Sequence, residues 1–535
     1  MDNKAELYHI TLDSGETIAI QHYLPDFSAS GEMVVLVHEG YNKNFINPLI
    51  EDLCNKGIEV YILNLSLYKY ATHETENYAS DIINSCYESL ISQRPEFLNA
   101  ITFIACKAMA LQLSAWVHDY APQIKSFILF CPETCLAETN DRLQTAAEKA
   151  IAEYRLSKYR TDSPAIFTPL LLVISGQLNA TDNAFYERLG SLKKKRVIIN
   201  ENDPQISLRF AQEMVNFLAK IRMQDYDYSF LLQADSTGYT WEENNKLKQP
   251  EKNLLRRTYW QLNKVILRIA GYFSAGIKIG LHRGFDSGEM LDYIYENQAG
   301  GNGWLNKRID RAYLNSIPWQ GARIRKKWVH QHTITAMRTL ENEDKKINVL
   351  DIAAGHGRYL FELADSMVNR IDHILMRDYD NNNVEYVNSL IREKKLTHKI
   401  TYEAGDAFSP EALTTLPRDR TLAIASGFYE LFDDNAMVLA SLKGIFNALE
   451  PGGLLVYTGI PWHPRHEYMA RVMTRNRDGK LWVLRRRTQQ ELDQLIRQAG
   501  FIKIKQRMDP WGIYSVSLAK KRDTSNDDAQ AAVSD

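Results

Sequence analysis

Residues 349–359 read VLDIAAGHGRY, and this stretch decides the fold of the second half of the chain. An apolar run ends in small residues and passes directly into a helical pattern, YLFELADSM. Small residues at such a junction let a ligand approach the backbone closely, and the helix that follows offers unpaired N–H groups. We therefore predict a strand, a tight turn and a helix, with a ligand lying over Ala353 to Gly357.

Two further strand ends carry carboxylates where a nucleotide site would need them. Asp378, in LMRDYD, lies about twenty residues beyond the turn, a spacing at which an acidic side chain can accept hydrogen bonds from ribose hydroxyls. Asp380 is the second choice for that role. The next strand ends in GDAF, residues 405–408, which would bring a carboxylate and an aromatic ring to a base. Three strand ends in succession predict a nucleotide site more firmly than one glycine-rich turn does.

From about residue 347 to residue 520 the chain resembles the Rossmann-like class I methyltransferases. VLDIAAGHG is similar to their first glycine-rich motif, GDAF to their adenine motif, and LEPGGLLVYTG to their late Pro-Gly-Gly turn before a strand. One departure is Ala353, where the family more often has glycine. The resemblance implies S-adenosylmethionine as the cofactor. A dinucleotide site is the less favoured interpretation, because the Pro-Gly-Gly turn and a terminal hairpin are not typical of dehydrogenases.

The same resemblance implies which residues hold each part of the cofactor. Asp351 and Gly355 would hold the methionine part, Asp378 the ribose and Asp406 the adenine, while Ser426 would lie beside the reactive sulfonium. The residues predicted to bind the cofactor are Asp351, Ala353, Gly355, Gly357, Asp378, Asp406, Ala407, Phe408 and Ser426.

Methyl transfer is an in-line displacement, so an enzyme has mainly to align the acceptor and exclude water. The candidate catalytic groups are Tyr429 and Glu430 after the fourth strand, and His463 in the run PWHPRHE after the fifth. The alternative is that this run is an ordinary surface loop. A metal ion held by His463 and His466 would lack a third ligand, so no metal site is predicted.

Residues 223–346 differ in composition from what precedes and follows them, and they predict a linker followed by a helical cap. The polar side chains of this cap could form a lid over the cofactor. The alternative is that the arginines of the cap simply cover the domain surface. The lid candidates are Asp286, Tyr293, Tyr295, Asp310, Arg311, Tyr313 and Asn315.

The segment 253–282 predicts a long amphipathic helix within the cap. Apolar side chains at helical spacing share one face, and basic residues lie outside it. Such a helix either packs against its own protein or lies on an anionic membrane. The apolar residues are Leu255, Leu262, Ile266 and Ile269, and the basic ones are Arg257, Lys264 and Arg268.

The first 222 residues alternate short β-branched runs with helical stretches, which predicts a mainly parallel sheet covered by helices. VVLVHEGYNKN resembles the strand and oxyanion loop of α/β-hydrolases. The chain departs from that fold at each catalytic position. Lys107, in ACKAM, stands where the serine belongs, and without small residues on either side a sharp elbow is disfavoured. The expected acid and histidine fall at Asn179 and Asp203, so no relay can form. Cys106 is the remaining candidate nucleophile.

The bulk composition limits the classes of function. A length of 535 residues indicates at least two domains, and a net charge of -2 with 45% hydrophobic residues is typical of globular proteins without nucleic-acid partners. We found no signal peptide or spanning stretch, and the five cysteines lack Cys-x-x-Cys spacing. The expected location is the cytoplasm, with segment 253–282 as a contact to the inner membrane.

Taken together, the sequence predicts an α/β fold with two doubly wound sheets. The domains are 1–222 (α/β-hydrolase-like, catalytically degenerate), 223–346 (linker and cap), 347–520 (class I methyltransferase) and 521–535 (disordered tail). This arrangement resembles the bacterial bifunctional α/β-hydrolase/methyltransferase proteins. It implies methyl transfer from S-adenosylmethionine to a small-molecule or lipid head-group acceptor, with the first domain serving binding or scaffolding. The alternatives are a non-catalytic nucleoside-binding protein that recruits a partner, and a thioesterase or esterase that uses Cys106.

Overall fold

The computed structural model divides into two compact units, Met1–Asp227 and Tyr228–Asp535. Each unit contains one mainly parallel sheet, which confirms the expected α/β class with two doubly wound sheets. Asn179 and most of the predicted tail lie outside the described residues. The structure describes residues 5–11, 17–25, 30–40, 43–65, 78–132, 153–154, 156–159, 161–176, 180–200, 203–221, 239–367, 370–475 and 480–522.

The sheet of the first unit has eight strands in the order β1-β2-β4-β3-β5-β6-β7-β8. An antiparallel hairpin, β1 and β2, joins six strands that run parallel to one another. The strands are β1 (Glu6–Thr11), β2 (Thr17–Tyr23), β3 (Met33–His38), β4 (Glu59–Asn64), β5 (Ile101–Cys106), β6 (Ser126–Phe130), β7 (Leu170–Ser175) and β8 (Lys194–Ile199). The helices are α1 (Lys43–Cys54), α2 (Tyr78–Gln93), α3 (Ala108–Tyr120), α4 (Ala180–Arg188) and α5 (Ile206–Leu218).

Helices cover both faces of this sheet, which explains why its central strands are uninterrupted apolar runs. Val34 and Leu36 of β3 belong to a core that α1 and α5 complete. On the other face Phe103 of β5 packs against Trp116 of α3, with ring centroids 4.7 Å apart.

The sheet of the second unit has seven strands in the order β11-β10-β9-β12-β13-β15-β14. The first five run parallel, and β15 pairs antiparallel with both β13 and β14, so the predicted terminal hairpin is confirmed. The strands are β9 (Asn348–Asp351), β10 (His373–Asp378), β11 (Ile400–Ala404), β12 (Arg420–Ala425), β13 (Leu449–Gly459), β14 (Phe501–Met508) and β15 (Ser515–Lys521).

The helices of this unit fall into a cap that precedes the sheet and a set that connects its strands. The cap helices are α6 (Tyr239–Lys248), α7 (Leu254–Phe273), α8 (Ala275–Arg283), α9 (Gly288–Glu296), α10 (Trp304–Leu314) and α11 (Ile317–Asn342). The connecting helices are α12 (Arg358–Met367), α13 (Asn381–Glu393), α14 (Pro410–Thr414), α15 (Asn435–Ala448), α16 (His466–Val472) and α17 (Gln489–Gln498).

One buried carboxylate, Asp310 of α10, organises the cap. It accepts hydrogen bonds from the Ser274 hydroxyl at 2.5 Å and from the backbone N–H groups of Gly276 and Gly300, each at 2.9 Å. The Tyr293 hydroxyl donates to Oδ2, the oxygen that also accepts from Gly300, whereas Ser274 and Gly276 donate to Oδ1. Because a buried carboxylate is costly unless its oxygens are satisfied, these four donors fix the start of α8 relative to α9 and α10.

A second buried network attaches the cap to the helices that connect the strands. Arg485 is fully buried and donates to Glu491 of α17 and to the Thr240 hydroxyl of α6, each at 2.7 Å. Thr240 in turn donates to Glu491 at 2.7 Å, and Asn435 of α15 donates to it at 3.0 Å. One ion pair therefore holds three helices together.

Candidate functional site

The carboxyl ends of the parallel strands in the second unit meet at one edge of the sheet. Asp351, the last residue of β9, pairs in register with Met376 of β10 and with Ile424 of β12. Asp378, which ends β10, pairs with Ala404 at the end of β11. Ligands bind at this edge in open α/β sheets, so the strand ends that the sequence singled out lie side by side where a site is expected.

The two glycines of the first turn serve different purposes. Gly355 and Gly357 have φ values of 54° and 58°, a region that side chains disfavour. A Cβ atom on Gly357 would lie 1.8 Å from Cε of Met376, so a larger residue here would have to displace the end of that side chain on β10. No atom lies within 4 Å of a Cβ built on Gly355, so the turn leaves open space at that position.

Asp378 ties the first turn to the strand beside it. Its Oδ2 accepts the Gly355 N–H at 2.8 Å, and its Oδ1 accepts the N–H of Asp380 at 2.8 Å. Its backbone carbonyl accepts the N–H of Gly405 at 2.9 Å. The second-choice residue, Asp380, instead caps α13 by accepting the N–H of Asn382 at 2.9 Å. Asp378, rather than Asp380, is therefore the carboxylate that contacts the glycine-rich turn.

The GDAF motif supplies a carboxylate and an aromatic wall. Asp406 is half-buried, and its Oδ1 accepts the N–H of Phe408 at 2.9 Å. The Phe408 ring lies 4.2 Å from that of Phe432 and 5.7 Å from that of Phe428, measured between centroids. Ala407, predicted as a cofactor residue, is buried in the core beneath these rings.

Asp351 is fully buried and is covered by a tyrosine that the sequence analysis did not single out. Its Oδ2 accepts a hydrogen bond from the Tyr359 hydroxyl, and its Oδ1 lies 3.4 Å from the N–H of Ala353. Burial raises the pKa of the Asp351 carboxyl to about 7, and the nearby Asp378 charge acts in the same direction. The carboxylate is therefore poised to ionise when a positive charge comes close.

A second tyrosine that was missed, Tyr402 of β11, donates its hydroxyl to the carbonyl of Gly355. This bond holds the glycine-rich turn against the neighbouring strand. Tyr359 directly follows the quoted motif and could have been noticed by its position. Tyr402 gave no signal, because one tyrosine within an apolar strand normally indicates core packing.

The cap lies against the glycine-rich turn. Asp292 of α9 shares a hydrogen bond with Nδ1 of His356 at 2.8 Å, and Glu296 accepts one from Arg358 at 2.8 Å. A Cβ on Gly288 would lie 3.1 Å from the His356 ring. These contacts place α9 over the turn, as a lid would be.

The predicted lid residues divide into two groups. The Tyr295 hydroxyl of α9 interacts with the Arg325 guanidinium and lies near the Tyr359 hydroxyl, so Tyr295 faces the site. The others are away from it or inside the cap: Asp310, Tyr293 and Tyr313 are internal, Arg311 and Asn315 are exposed, and Asp286 is half-buried.

The fourth strand end combines a backbone turn with a buried ion pair. After half-buried Ser426, Gly427 has a φ of 75° and donates its N–H to Thr458 at 2.8 Å. Arg325 of α11 lies beside Gly427 and pairs with Glu430 at 3.6 Å between Nη1 and Oε1. Burial raises the pKa of the Glu430 carboxyl, whereas the Arg325 charge opposes that change. The sequence did not single out Arg325 for the site, because this residue belongs to cap helix α11 and is distant in sequence from the fourth strand.

Tyr429, a predicted catalytic residue, is placed differently from its neighbour Glu430. Its side chain is 2% exposed, and its hydroxyl shares a hydrogen bond with Ser441 of α15 at 3.1 Å. Its ring packs against Phe428 in the core. A hydroxyl turned into the core cannot reach an acceptor at the sheet edge, so the geometry gives Tyr429 a packing role and does not support the predicted catalytic one.

His463 is buried beyond the end of β13. Its Nδ1 accepts the N–H of Arg465 at 3.2 Å, and burial lowers the pKa of the ring to about 3. The imidazole is therefore neutral with its proton on Nε2, which has no hydrogen-bond partner among the residues that the structure describes. His466 is held between the Leu484 carbonyl and Glu243. Within the described ranges, no group of three or more acidic, histidine or cysteine side chains could hold a metal ion.

The first unit has a sharp strand-to-helix turn at Lys107, where the sequence places the elbow. Lys107 adopts φ 52° and ψ −121° between β5 and α3, so the chain makes a sharp turn here, although the lack of small flanking residues was expected to disfavour one. Cys106 is buried, and burial raises the pKa of its thiol to about 12, which leaves it an inert neutral group. Asp203, at the expected histidine position, pairs with Arg209 at 2.9 Å.

Comparisons with known proteins identify the family to which the chain belongs. A protein of Escherichia coli strain K12, "Uncharacterized protein YnbC", is 35% identical over 486 residues, which span 80% of this chain and 82% of that protein. Among solved structures, a SAM-dependent methyltransferase from Methanosarcina mazei is 18% identical with a TM-score of 0.28, covering 33% of this chain and 93% of its own. An esterase domain from Rhodothermus marinus is 13% identical with a TM-score of 0.32, covering 40% and 97%.

A family model described as "Putative methyltransferase" matches residues 214–521, which is more than half of the chain and includes the cap helices and the seven strands of the second unit. The structural matches are too distant to add to this assignment, which depends on the sequence matches alone. The chain belongs to the family that this model describes, "Putative methyltransferase".

Proposed function

We propose that the chain transfers a methyl group from S-adenosylmethionine to a small-molecule or lipid head-group acceptor. The observation that carries this proposal is the Asp378 carboxylate, which is hydrogen-bonded to the open Gly355 turn and lies one strand from the GDAF motif. A nucleoside needs a carboxylate for its ribose, an aromatic wall for its base and backbone that admits close approach. Each of these is present at one sheet edge.

The residues at this edge fit the parts of the cofactor in order along the sheet. Asp378 would accept the ribose hydroxyls, because a carboxylate has about four acceptor sites and protein donors occupy only some of them. Asp406 and Phe408 would hold the adenine. Asp351 would face the methionine part, where a positive amino group favours its ionised form. When bound, S-adenosylmethionine supplies an electrophilic methyl group.

The acceptor would lie beyond the fourth and fifth strand ends. The Nε2–H of His463 can donate a hydrogen bond to an acceptor oxygen and so orient it, but a ring with its pKa near 3 is a poor base at neutral pH. Glu430 is better suited to receive a proton, because burial raises the pKa of its carboxyl, while Arg325 at 3.6 Å favours the ionised form that would accept the proton. Burial of both side chains supports a site from which water is excluded.

The first unit would serve binding or scaffolding rather than hydrolysis. This part of the proposal is supported by the lysine at its elbow and by the buried, neutral thiol next to it. A serine, cysteine or other activated nucleophile is what an esterase would need at that turn. An ester-substrate screen with a Cys106→Ala variant tests it: activity that disappears in the variant would contradict a scaffolding role.

The experiment that tests the proposed function is untargeted methyl labelling. The full chain is incubated with cell extract and S-adenosylmethionine that carries an isotopically labelled methyl group, and the labelled product is identified. We expect one product class, lost in Asp378→Asn and retained in Glu393→Gln, an exposed carboxylate on α13 that serves as the matched control.

Binding of the cofactor with no labelled product from any extract would contradict methyl transfer. That outcome would favour a protein that binds the nucleoside and recruits a partner. Label in the product from Asp378→Asn at the wild-type rate would contradict the proposed site rather than the activity.

A further inference from the structure

Helix α7 turns its apolar face outward. Leu254, Leu255 and Tyr272 are 74%, 81% and 83% exposed, and Leu262, Ile266 and Ile269 are each more than half exposed. Viewed down the helix axis, with 100° between successive residues, these side chains fall within one sector of about 140°. That sector contains no charged residue. A helix of 20 residues is about 30 Å long, so this is a continuous apolar strip rather than scattered side chains.

The opposite face of α7 is the one that packs on the protein. Leu267 and Gly271 are buried, and the Trp260 ring lies 6.5 Å from that of Tyr468. Arg256 lies on the same side and donates to Glu467. The helix therefore packs on its own unit through a narrow mixed face, and the residues that the structure describes leave its broad apolar face uncovered. This reverses the usual arrangement of an amphipathic helix in a globular protein.

The charges beside this strip have one sign. α7 contains no acidic residue, and Arg257, Lys264 and Arg268 lie in the sector next to the apolar one. Helix α10 packs beside α7 and begins with Trp304, which is 74% exposed, and Leu305, followed by the exposed Lys307 and Arg308. An apolar strip with basic residues at its edge is complementary to an anionic lipid surface.

We propose that α7 lies flat on an anionic membrane, with its apolar face at the boundary of the acyl chains and its basic edge among the phosphates. No helix in the described part of the chain is long and apolar enough to cross a membrane, so this contact would be peripheral. The proposal does not depend on methyl transfer, because α7 lies outside the cofactor site. A second copy of the chain is disfavoured as the occupant, since it would bring like charges together at the basic edge.

The test is co-sedimentation of the full chain with vesicles at low salt. We expect binding to vesicles that mix phosphatidylglycerol with phosphatidylcholine, and at least about tenfold less binding to phosphatidylcholine alone. Binding to the anionic vesicles should weaken as salt is raised, because the screening length shortens. The double variant Leu262→Asp/Ile266→Asp should lose most of the binding, and Arg257→Glu/Arg268→Glu should lose at least about tenfold.

Leu208→Asp, the same kind of change on the exposed side of α5, is the matched control and should bind as the wild type does. Circular dichroism checks that each variant is folded. Two results would overturn the proposal: failure of the wild type to bind anionic vesicles, and binding that the α7 variants leave unchanged. Light scattering provides a third, since a dimer abolished by Leu262→Asp/Ile266→Asp would mean that a second copy covers the strip.

Discussion

Replacing Asp351 by asparagine should stabilise the second unit at neutral and alkaline pH. The carboxyl is fully buried, and burial raises its pKa from 3.8 to about 7. A carboxyl whose pKa is higher in the folded state than in the unfolded state makes the folded state less stable once the pH rises above 3.8. Asparagine removes the charge, and its side-chain oxygen can still accept the hydrogen bond from Tyr359.

The size of the effect follows from the two pKa values. Each pH unit between them corresponds to about 1.4 kcal/mol, so the cost of ionising Asp351 in the folded protein approaches roughly 4 kcal/mol above pH 7. Below pH 3.8 the group is protonated in both states, and the cost vanishes. The Asp351→Asn variant should therefore gain up to a few kcal/mol at pH 8 and almost nothing at low pH.

Urea unfolding of the cofactor-free protein, followed by tryptophan fluorescence at both pH values, measures this difference. Fluorescence reports mainly on the second unit, because eight of the nine tryptophans lie there. The same variant should bind S-adenosylmethionine more weakly, since the positive methionine part loses its carboxylate partner. If the variant is no more stable than the wild type at pH 8, or if its advantage does not shrink as the pH falls, the account of Asp351 is wrong.

Three other substitutions test separate parts of the structure. Gly357→Ala should destabilise the second unit by about 1–3 kcal/mol and weaken cofactor binding, because alanine disfavours the positive φ and its Cβ would meet Met376 of β10. Thermal unfolding measures the stability and calorimetry measures the affinity. Wild-type values in both would contradict the packing argument. Arg485→Met should cost about 3–5 kcal/mol in urea unfolding, because it leaves Glu491 buried without its partner; a change below 1 kcal/mol would show that the network is dispensable. Tyr429→Phe should leave methyl transfer unchanged and lower stability by about 1 kcal/mol, whereas a large fall in kcat would restore its predicted catalytic role.

Much of the architecture could be predicted because it depends on local patterns. The parallel sheet of each unit is built largely from short apolar runs bounded by turn residues, and both sheets were expected. The hairpin of β1 and β2 was missed, because β1 buries only Ile10 and so shows no clear alternation of buried and exposed residues. Asp378 could be placed by its spacing alone, since the register of parallel strands brings successive strand ends together.

Other features depend on contacts that no local pattern records. The sequence predicts that α7 has an apolar face, but only tertiary packing decides that this face points outward. Arg325 and Glu430 are distant in sequence, and their pairing required the cap to fold over the fourth strand end. The elbow at Lys107 shows that surrounding structure can hold a large residue in a conformation that its own preferences oppose.

The central claim is that the strand ends of the second sheet bind one adenosyl nucleoside, and isothermal titration calorimetry tests it most directly. The full chain is titrated with S-adenosylmethionine, with S-adenosylhomocysteine and with NAD as a control, and the series is repeated with Asp378→Asn and Glu393→Gln. We predict one site for the first two ligands, no binding of NAD, a loss of at least about tenfold for Asp378→Asn from its weakened charged hydrogen bonds, and wild-type affinity for Glu393→Gln. Absence of binding to S-adenosylmethionine, or equal affinity of Asp378→Asn and the wild type, would contradict the account.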